Sequence, residues 1–325
     1  MLIKEEKVSS FIFNFKLGMK QFVFRLLSFF LIIISLILLG FYLPATPRDR
    51  QSLLFSQVAK DSLMKHTSSP RIILVGGSNL SMGINSIILK KELKLNPINT
   101  SIHAAIGLKY MMKHTLKFLH KGDIIILSPE YQQFYGDFAD GREELLRIIA
   151  DLDKKELLDL QLSQIFKIFK YIPSYSLSKF KIQEYYYNKK DLFLYGSDGY
   201  NIYGDYSKHW NFKPEGAPVD NFLFDNYNPS VLSAIQEFND ELEKKGCKLF
   251  ITFPGYQKSS FTKHKKQIDF VYSKLISSST LKILGKPKEF VQQDSLMYGT
   301  TYHLTKGAID DRTKILIKEY LKIKN

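Results

Sequence analysis

The sequence predicts an α/β protein: a doubly wound, mostly parallel sheet carried on one N-terminal transmembrane helix. Three observations lead there. A charge-free apolar run lies near the N-terminus, short β-branched runs alternate with helix-spaced segments after it, and those short runs are apolar throughout. Strands alternating with helices need crossover connections, and parallel strands covered on both faces read as near-continuous Val, Ile and Leu. At 325 residues and 45% hydrophobic, the chain can bury a full core.

The apolar run comes first. From Leu26 to Pro47 there is no charge, and a helix rising 1.5 Å per residue needs ~20 residues to cross ~30 Å of hydrocarbon. A globular core helix would show a polar face, and this one shows none. Lys4, Lys7, Lys16, Lys20 and Arg25 precede it, while Arg48 and Arg50 follow. The positive-inside rule then keeps residues 1–25 in the cytoplasm, makes 26–47 the anchor and exports the rest. A cleaved signal peptide is the competing reading. Against it, the run is longer than an h-region and Pro44 to Pro47 is a poor cleavage site.

Residues 48–70 are expected to form a polar stalk with a short helix, leaving 71–325 as the α/β domain. Arg71 to Val75 is the first strand, stopped by Gly76-Gly-Ser-Asn79, and Ile84 to Leu93 is helix-spaced. Strand, glycine turn and helix open a parallel unit. Asn96 to Ile102 is a second strand, Leu108 to Leu119 a helix closed by Gly122, and Asp123 to Ser128 a third strand. Two helices follow within 141–171. Later come a helix over 229–245, a strand over Cys247 to Phe253, and helices over 261–277 and 305–323.

Between Tyr171 and Tyr227 the pattern breaks. Ten of the 19 tyrosines lie there with Trp210. A long irregular insertion is functional or disordered, and this aromatic content argues for function.

The formal net charge is +14; from Gln51 onward 39 Lys and Arg face 29 Asp and Glu, an excess of +10. The lysines are scattered and no helix-turn-helix, zinc or RNA-binding signature accompanies them, so nucleic acid is not expected as a partner. Cys247, the one cysteine, permits no intramolecular disulfide and no cysteine-based metal cluster, and no cofactor or metal is expected.

Ligands of open parallel sheets bind beyond the carboxyl ends of the strands. Ser78, Gly107 and Glu130 stand at three such ends. Ser78 occupies a strand-to-helix turn, where free N–H groups favour negative charge. A serine nucleophile also needs a base, normally His. His303, in Tyr298-Gly-Thr-Thr-Tyr-His-Leu-Thr-Lys-Gly307, stands at a loop-to-helix junction suited to that role. His103 is read as core or site-lining, and the other five histidines, His209 among them, as surface.

A strand ending in Gly-x-Ser, a glycine after the second strand and a histidine before the last helix resemble the SGNH (GDSL-type) hydrolase superfamily. The tail Tyr302-His-Leu-Thr-Lys-Gly307 is similar to the ending of its membrane-anchored, envelope-associated bacterial members, those of alginate O-acetylation and teichoic-acid D-alanylation. The likeness covers roughly residues 70–325. It implies Ser78 as nucleophile, His303 as base, and the N–H groups of Ser78 and Gly107 as oxyanion donors; Asn79 or Gln132 would take the place of the family's Asn donor. It also implies an envelope polysaccharide and an acyl donor as substrates, and a membrane-bound acyltransferase as partner.

Two positions depart from the family. The Asp that orients its histidine would fall at Thr300 or Gly299, and Pro129-Glu130-Tyr131 stands where its Asn is usual. The site is then a Ser–His dyad, or takes a carboxylate from Glu130 or Asp294, or no longer catalyses. Tyr131 and Trp210 are expected to bind substrate through their ring faces. The leading expectation is an acyltransferase or esterase of an envelope polysaccharide; the alternatives are a non-catalytic assembly or glycan-binding protein and, third, a lipid esterase.

Overall fold

The computed structural model describes residues 2–186, 195–224 and 226–324, with side chains from Met19 onward. Helix α1 (Leu2–Tyr42) leads into α2 (Gln57–His66), β1 (Arg71–Gly76), α3 (Ser78–Ser81), α4 (Ser86–Leu93) and β2 (Asn96–Asn99). Then come α5 (Leu108–Thr115), β3 (Ile124–Ser128), α6 (Glu143–Asp151), α7 (Leu162–Phe169) and α8 (Ile172–Ser178). After the insertion follow α9 (Pro229–Lys244), β4 (Lys248–Ile251), β5 (Tyr256–Gln257), α10 (Lys258–Lys263) and α11 (Lys265–Ile276). The chain closes with β6 (Val291–Gln292), β7 (Met297–Tyr298), β8 (Thr300–Leu304) and α12 (Lys306–Lys324).

Four strands form a wholly parallel sheet in the order β2-β1-β3-β4. All six residues of β1 are buried, and after Arg71 they read as an unbroken apolar run. Side chains alternate between its faces. Ile73, Val75, Ile125 and Leu127 pack with Leu108 of α5, Val231 and Ile235 of α9 and Ile268 of α11. Ile72, Leu74 and Ile126 pack on the other side with Leu89 of α4 and with Leu316 and Tyr320 of α12. From β1 the chain steps outward to β2, then returns to β3 on β1's other side. The carboxyl ends of β1 and β3 therefore flank the point where winding reverses, the crevice in which such sheets bind ligands.

The apolar helix is present. Met19–Tyr42 spans 24 residues at mean hydropathy 2.8, with none of its apolar window buried. That length is about 36 Å, enough to cross a membrane.

The expected stalk packs against the domain instead. Met64 of α2 belongs to the main core. Lys60 is fully buried; its Nζ donates to Asn99 O at 2.8 Å and Gly204 O at 2.6 Å and lies 4.2 Å from the Tyr200 ring centre. Burial pushes this ammonium down to about 7. The apolar positions of α2 and a cation satisfied by two carbonyls make the segment part of the fold. The expected helix over 261–277 is two, α10 and α11, meeting at His264.

At the amino ends of β1 and β3, Arg71 and Asp123 form a fully buried pair. The Arg71 guanidinium donates to Asp123, to Met64 O at 2.6 Å and to Phe118 O at 2.9 Å, tying α2 and the end of the α5 region to the sheet. Removing one partner of such a pair strands the other charge, at about 3–5 kcal/mol. Arg71→Met should accordingly lower the urea midpoint of the detergent-solubilised protein by that equivalent. An unchanged midpoint would show that the pair does not hold this end of the sheet.

Candidate active site

Ser78 begins α3 directly after β1, and Gly77 before it is required by crowding. A Cβ at Gly77 would lie 2.7 Å from Glu130 Oε1 and 2.8 Å from Ala104. The turn thus brings Ser78 against the end of β3. Ser78 Oγ lies 3.4 Å from Glu130 Oε1, the Asn79 N–H donates to the same oxygen at 3.2 Å, and Gln132 Nε2 donates to Oε2 at 3.1 Å. Glu130 is buried, and burial raises its carboxyl to about 7 against those hydrogen bonds.

Above this carboxylate lies a cavity of about 290 Å³. Ser78, Ser81, His103, Glu130, Gln132 and His303 supply its polar wall. Phe138, Tyr195, Tyr200, Tyr206 and Tyr302 supply the aromatic one. The volume sits at the low end of the roughly 300–1,000 Å³ of ligand sites, so it suits an acyl group or single sugar unit rather than a polymer segment.

Ser78 and His303 line this one cavity although 225 positions separate them, but no hydrogen bond joins them among the described residues. His303 comes from β8, which pairs antiparallel with β7, rather than from a loop. Burial drives its imidazole down to about 3, with His209 and His103 nearby adding to the effect, so it is neutral. His103 caps the turn Ala104–Ile106, its Nδ1 accepting the Ala105 N–H at 3.2 Å, which leaves the proton on Nε2. His209, expected at the surface, is buried and bonds Leu304 O at 3.1 Å; burial lowers it to about 4.

Other expected residues take different positions. The Gly107 N–H donates to Ala104 O at 3.0 Å, closing a 3₁₀ turn, and is not free for an oxyanion. Gly107 is glycine because its φ is +93° and its Cβ would strike Gly141 N at 2.6 Å. The Asn79 side chain is fully buried below the cavity, donating to Ser128 O at 3.0 Å and accepting from Ser128 Oγ and Arg312. Asp294 is exposed and caps α10 through the Ser259 N–H at 3.0 Å, away from the cavity. Tyr131 is core, edge-on to Tyr256 at 5.3 Å. Trp210 packs on Met297 and Ala308 beneath Lys306, 4.9 Å away, outside the cavity lining. Glu130 is at the site, but it approaches the serine and not the imidazole. Among the described residues none accepts the Ser78 N–H.

The insertion is fixed over the cavity by buried polar contacts. Asp205 accepts from the Ser86 N–H at 2.8 Å, Ser86 Oγ at 2.7 Å and Asn99 Nδ2 at 2.9 Å. The Tyr206 N–H donates to Ser81 O at 2.8 Å, and Gly199 leaves room for the Tyr206 ring. A residue unforeseen from the sequence anchors everything beneath. Arg312 of α12, fully buried, donates to Asn79 O, to Asn79 Oδ1 at 3.0 Å, to Ser128 Oγ at 3.1 Å and to Phe253 O at 3.1 Å. Its signal was legible: Ile309, Arg312, Thr313, Leu316 and Tyr320 share one helical stripe, so the Arg lies on the buried face.

No family model matches the chain, and no curated protein matches it.

The raised Glu130 carboxyl has a consequence for stability. The folded state holds this proton up to about 7, whereas an unfolded carboxyl releases it near 4.5. Between those values the folded form binds more protons, so this group's contribution falls as pH rises, by roughly 3 kcal/mol over the window. Glu130→Gln should remove that slope, making the variant gain on the parent from pH 5 to pH 8 in thermal melts. Parallel stability profiles for the two would contradict the assignment.

Proposed function

We propose that the chain is a membrane-anchored serine acyltransferase or esterase, SGNH-like in its doubly wound fold and motif order, acting on an envelope polysaccharide outside the membrane. The observation that carries this is Ser78 Oγ at 3.4 Å from a buried carboxylate of pKa about 7, inside an aromatic-walled cavity. A general base poised near neutrality suits a serine nucleophile.

In the proposed reaction Ser78 Oγ attacks the carbonyl of an acyl donor while its proton passes to Glu130. The tetrahedral intermediate collapses to acyl-Ser78, and Glu130 returns the proton to the leaving group. A sugar hydroxyl or water then attacks, gives its proton to Glu130 and takes the acyl group, and Ser78 leaves reprotonated. The Ser78 N–H and the second amide N–H of Gln132 supply the oxyanion donors, in place of Gly107. Neutral His303 and His103 hydrogen-bond the acceptor, and Tyr195, Tyr200 and Tyr206 offer faces to a sugar ring. A membrane-bound acyltransferase would be the source of the acyl donor. The five basic residues before the apolar run support export of the domain.

A glycan-binding role without catalysis is favoured by two specific features: His303 makes no hydrogen bond to Ser78, and the Gly107 N–H is already committed.

A fluorophosphonate probe should label Ser78 and leave Ser78→Ala unlabelled. The labelling rate should climb with pH through about 7, as Glu130 loses its proton, then level off. Glu130→Gln should label at least tenfold more slowly and without that rise. Absence of labelling at every pH, with surface acyl content unchanged in Ser78→Ala cells, would leave the binding role.

Topology is tested separately. Alkaline phosphatase fused after Asn325, which is active only once exported, should be active. Activity of a cytoplasm-only reporter at that site would place the domain inside.

A further inference from the structure

The end of α1 does not leave the domain free. Gly40 is buried, and a Cβ added to it would sit 2.2 Å from Ser176 O of α8. The Phe41 and Tyr175 rings meet edge-on at 6.2 Å. Ile33 and Ile37 are half-buried on the same stripe, while neighbouring side chains of α1 are exposed. From Ile33 to Gly40 a helix rises about 10 Å. The span covers Met19–Tyr42, so this stretch lies in its second half. Whatever packs beside it reaches into the membrane's depth, and α8 is the element that does so.

The surface joined to α8 is apolar where it should face water. Leu162, Phe166 and Phe169 are 73%, 76% and 68% exposed at positions i, i+4 and i+7 of α7. Gln164 and Ile168, on the other side of α7, are buried against the domain. Leu177 at the end of α8, and Phe180 and Ile182 just beyond it, are also exposed. Exposed Lys170 and Lys181 flank the patch. Exposed apolar side chains at helical spacing, bordered by lysines, are the pattern of helices that lie in the plane of a bilayer.

We infer that α7, α8 and the residues up to Ile182 are a second membrane contact, seated in the leaflet from which α1 emerges. Lysines at its border meet lipid phosphates while the six apolar side chains enter the acyl region. The domain is then held against the membrane in one orientation rather than swinging on a tether. This rests on α1 spanning the bilayer.

The test uses the full chain in vesicles of phosphatidylcholine and phosphatidylglycerol. Nitroxide labels are placed by Phe166→Cys and Phe180→Cys, with Phe30→Cys as anchor control and Ile87→Cys, on α4, as aqueous control; buried Cys247 is checked in the parent. Accessibility to oxygen relative to a water-soluble nickel chelate should be several-fold higher at Phe166 and Phe180 than at Ile87, approaching Phe30. Values equal to Ile87 with a lipid-exposed Phe30 would overturn the contact alone. An aqueous Phe30 would remove the anchor and the contact together. Spin–spin broadening between labels at Phe166 would assign the face to a second copy and overturn the lipid assignment.

Discussion

One buried guanidinium holds the working end of the sheet. Arg312 reaches from α12 to the Asn79 carbonyl and amide oxygen, to the Ser128 hydroxyl and to the Phe253 carbonyl. Those acceptors follow β1, end β3 and follow β4, so a single side chain ties three strand ends to the last helix. A planar fork with five donors can do this, and a lysine could not. Its cost is desolvation, which drives the guanidinium down to about 9, with Tyr131 and Glu130 opposing. The position of Ser78 depends on it, because Asn79, the next residue, is fixed through both its backbone and its side chain.

The two ends of the sheet solve the same problem differently. At the amino ends, Arg71 meets a full countercharge in Asp123, and the pair is closed to solvent. At the carboxyl ends, Arg312 has only neutral acceptors among the described residues, and the carboxylate of Glu130 faces the cavity. A direct pair there would have held Glu130 ionised and far below neutrality. Keeping the acceptors neutral leaves Glu130 free to titrate near 7. Asp205 and Lys60 fix the insertion in the same buried manner, so the tyrosines over the cavity rest on a rigid base.

Much of this was legible in the sequence, and the misses have physical causes. Strand, turn and helix alternation was readable because both-face burial makes the middle of β1 and β3 apolar, and the long N-terminal helix because no polar face interrupts it. Ser78 and Glu130 were read at strand ends, where parallel sheets put ligands, and His303 at the junction before the last helix, although it lies in β8. What pattern cannot give is the direction of a side chain. Tyr131 and Trp210 look like ring platforms in sequence, yet each fills apolar volume instead, and Asp294 serves as a helix cap. The free N–H expected of Gly107 was lost to a 3₁₀ turn that no period signals. The stalk was misread because its polar residues, Lys60 above all, are satisfied by carbonyls contributed from far along the chain, 39 and 144 positions away.

The charge balance in the cavity distinguishes the two groups in position to take a proton from Ser78. Moving that proton to His303 would create a cation in a site whose burial already drives imidazole to about 3, beside two more histidines. Among the described residues no carboxylate bonds His303 to stabilise that cation, which is the service an Asp renders in a triad. Moving the proton to Glu130 does the reverse: it erases a buried anion, the change that burial favours. Geometry agrees, since the Ser78 hydroxyl lies within 3.4 Å of the carboxylate. With a carboxylate on the serine itself, the proposed chemistry needs no group to orient His303, whose neutral ring is left to hold the acceptor.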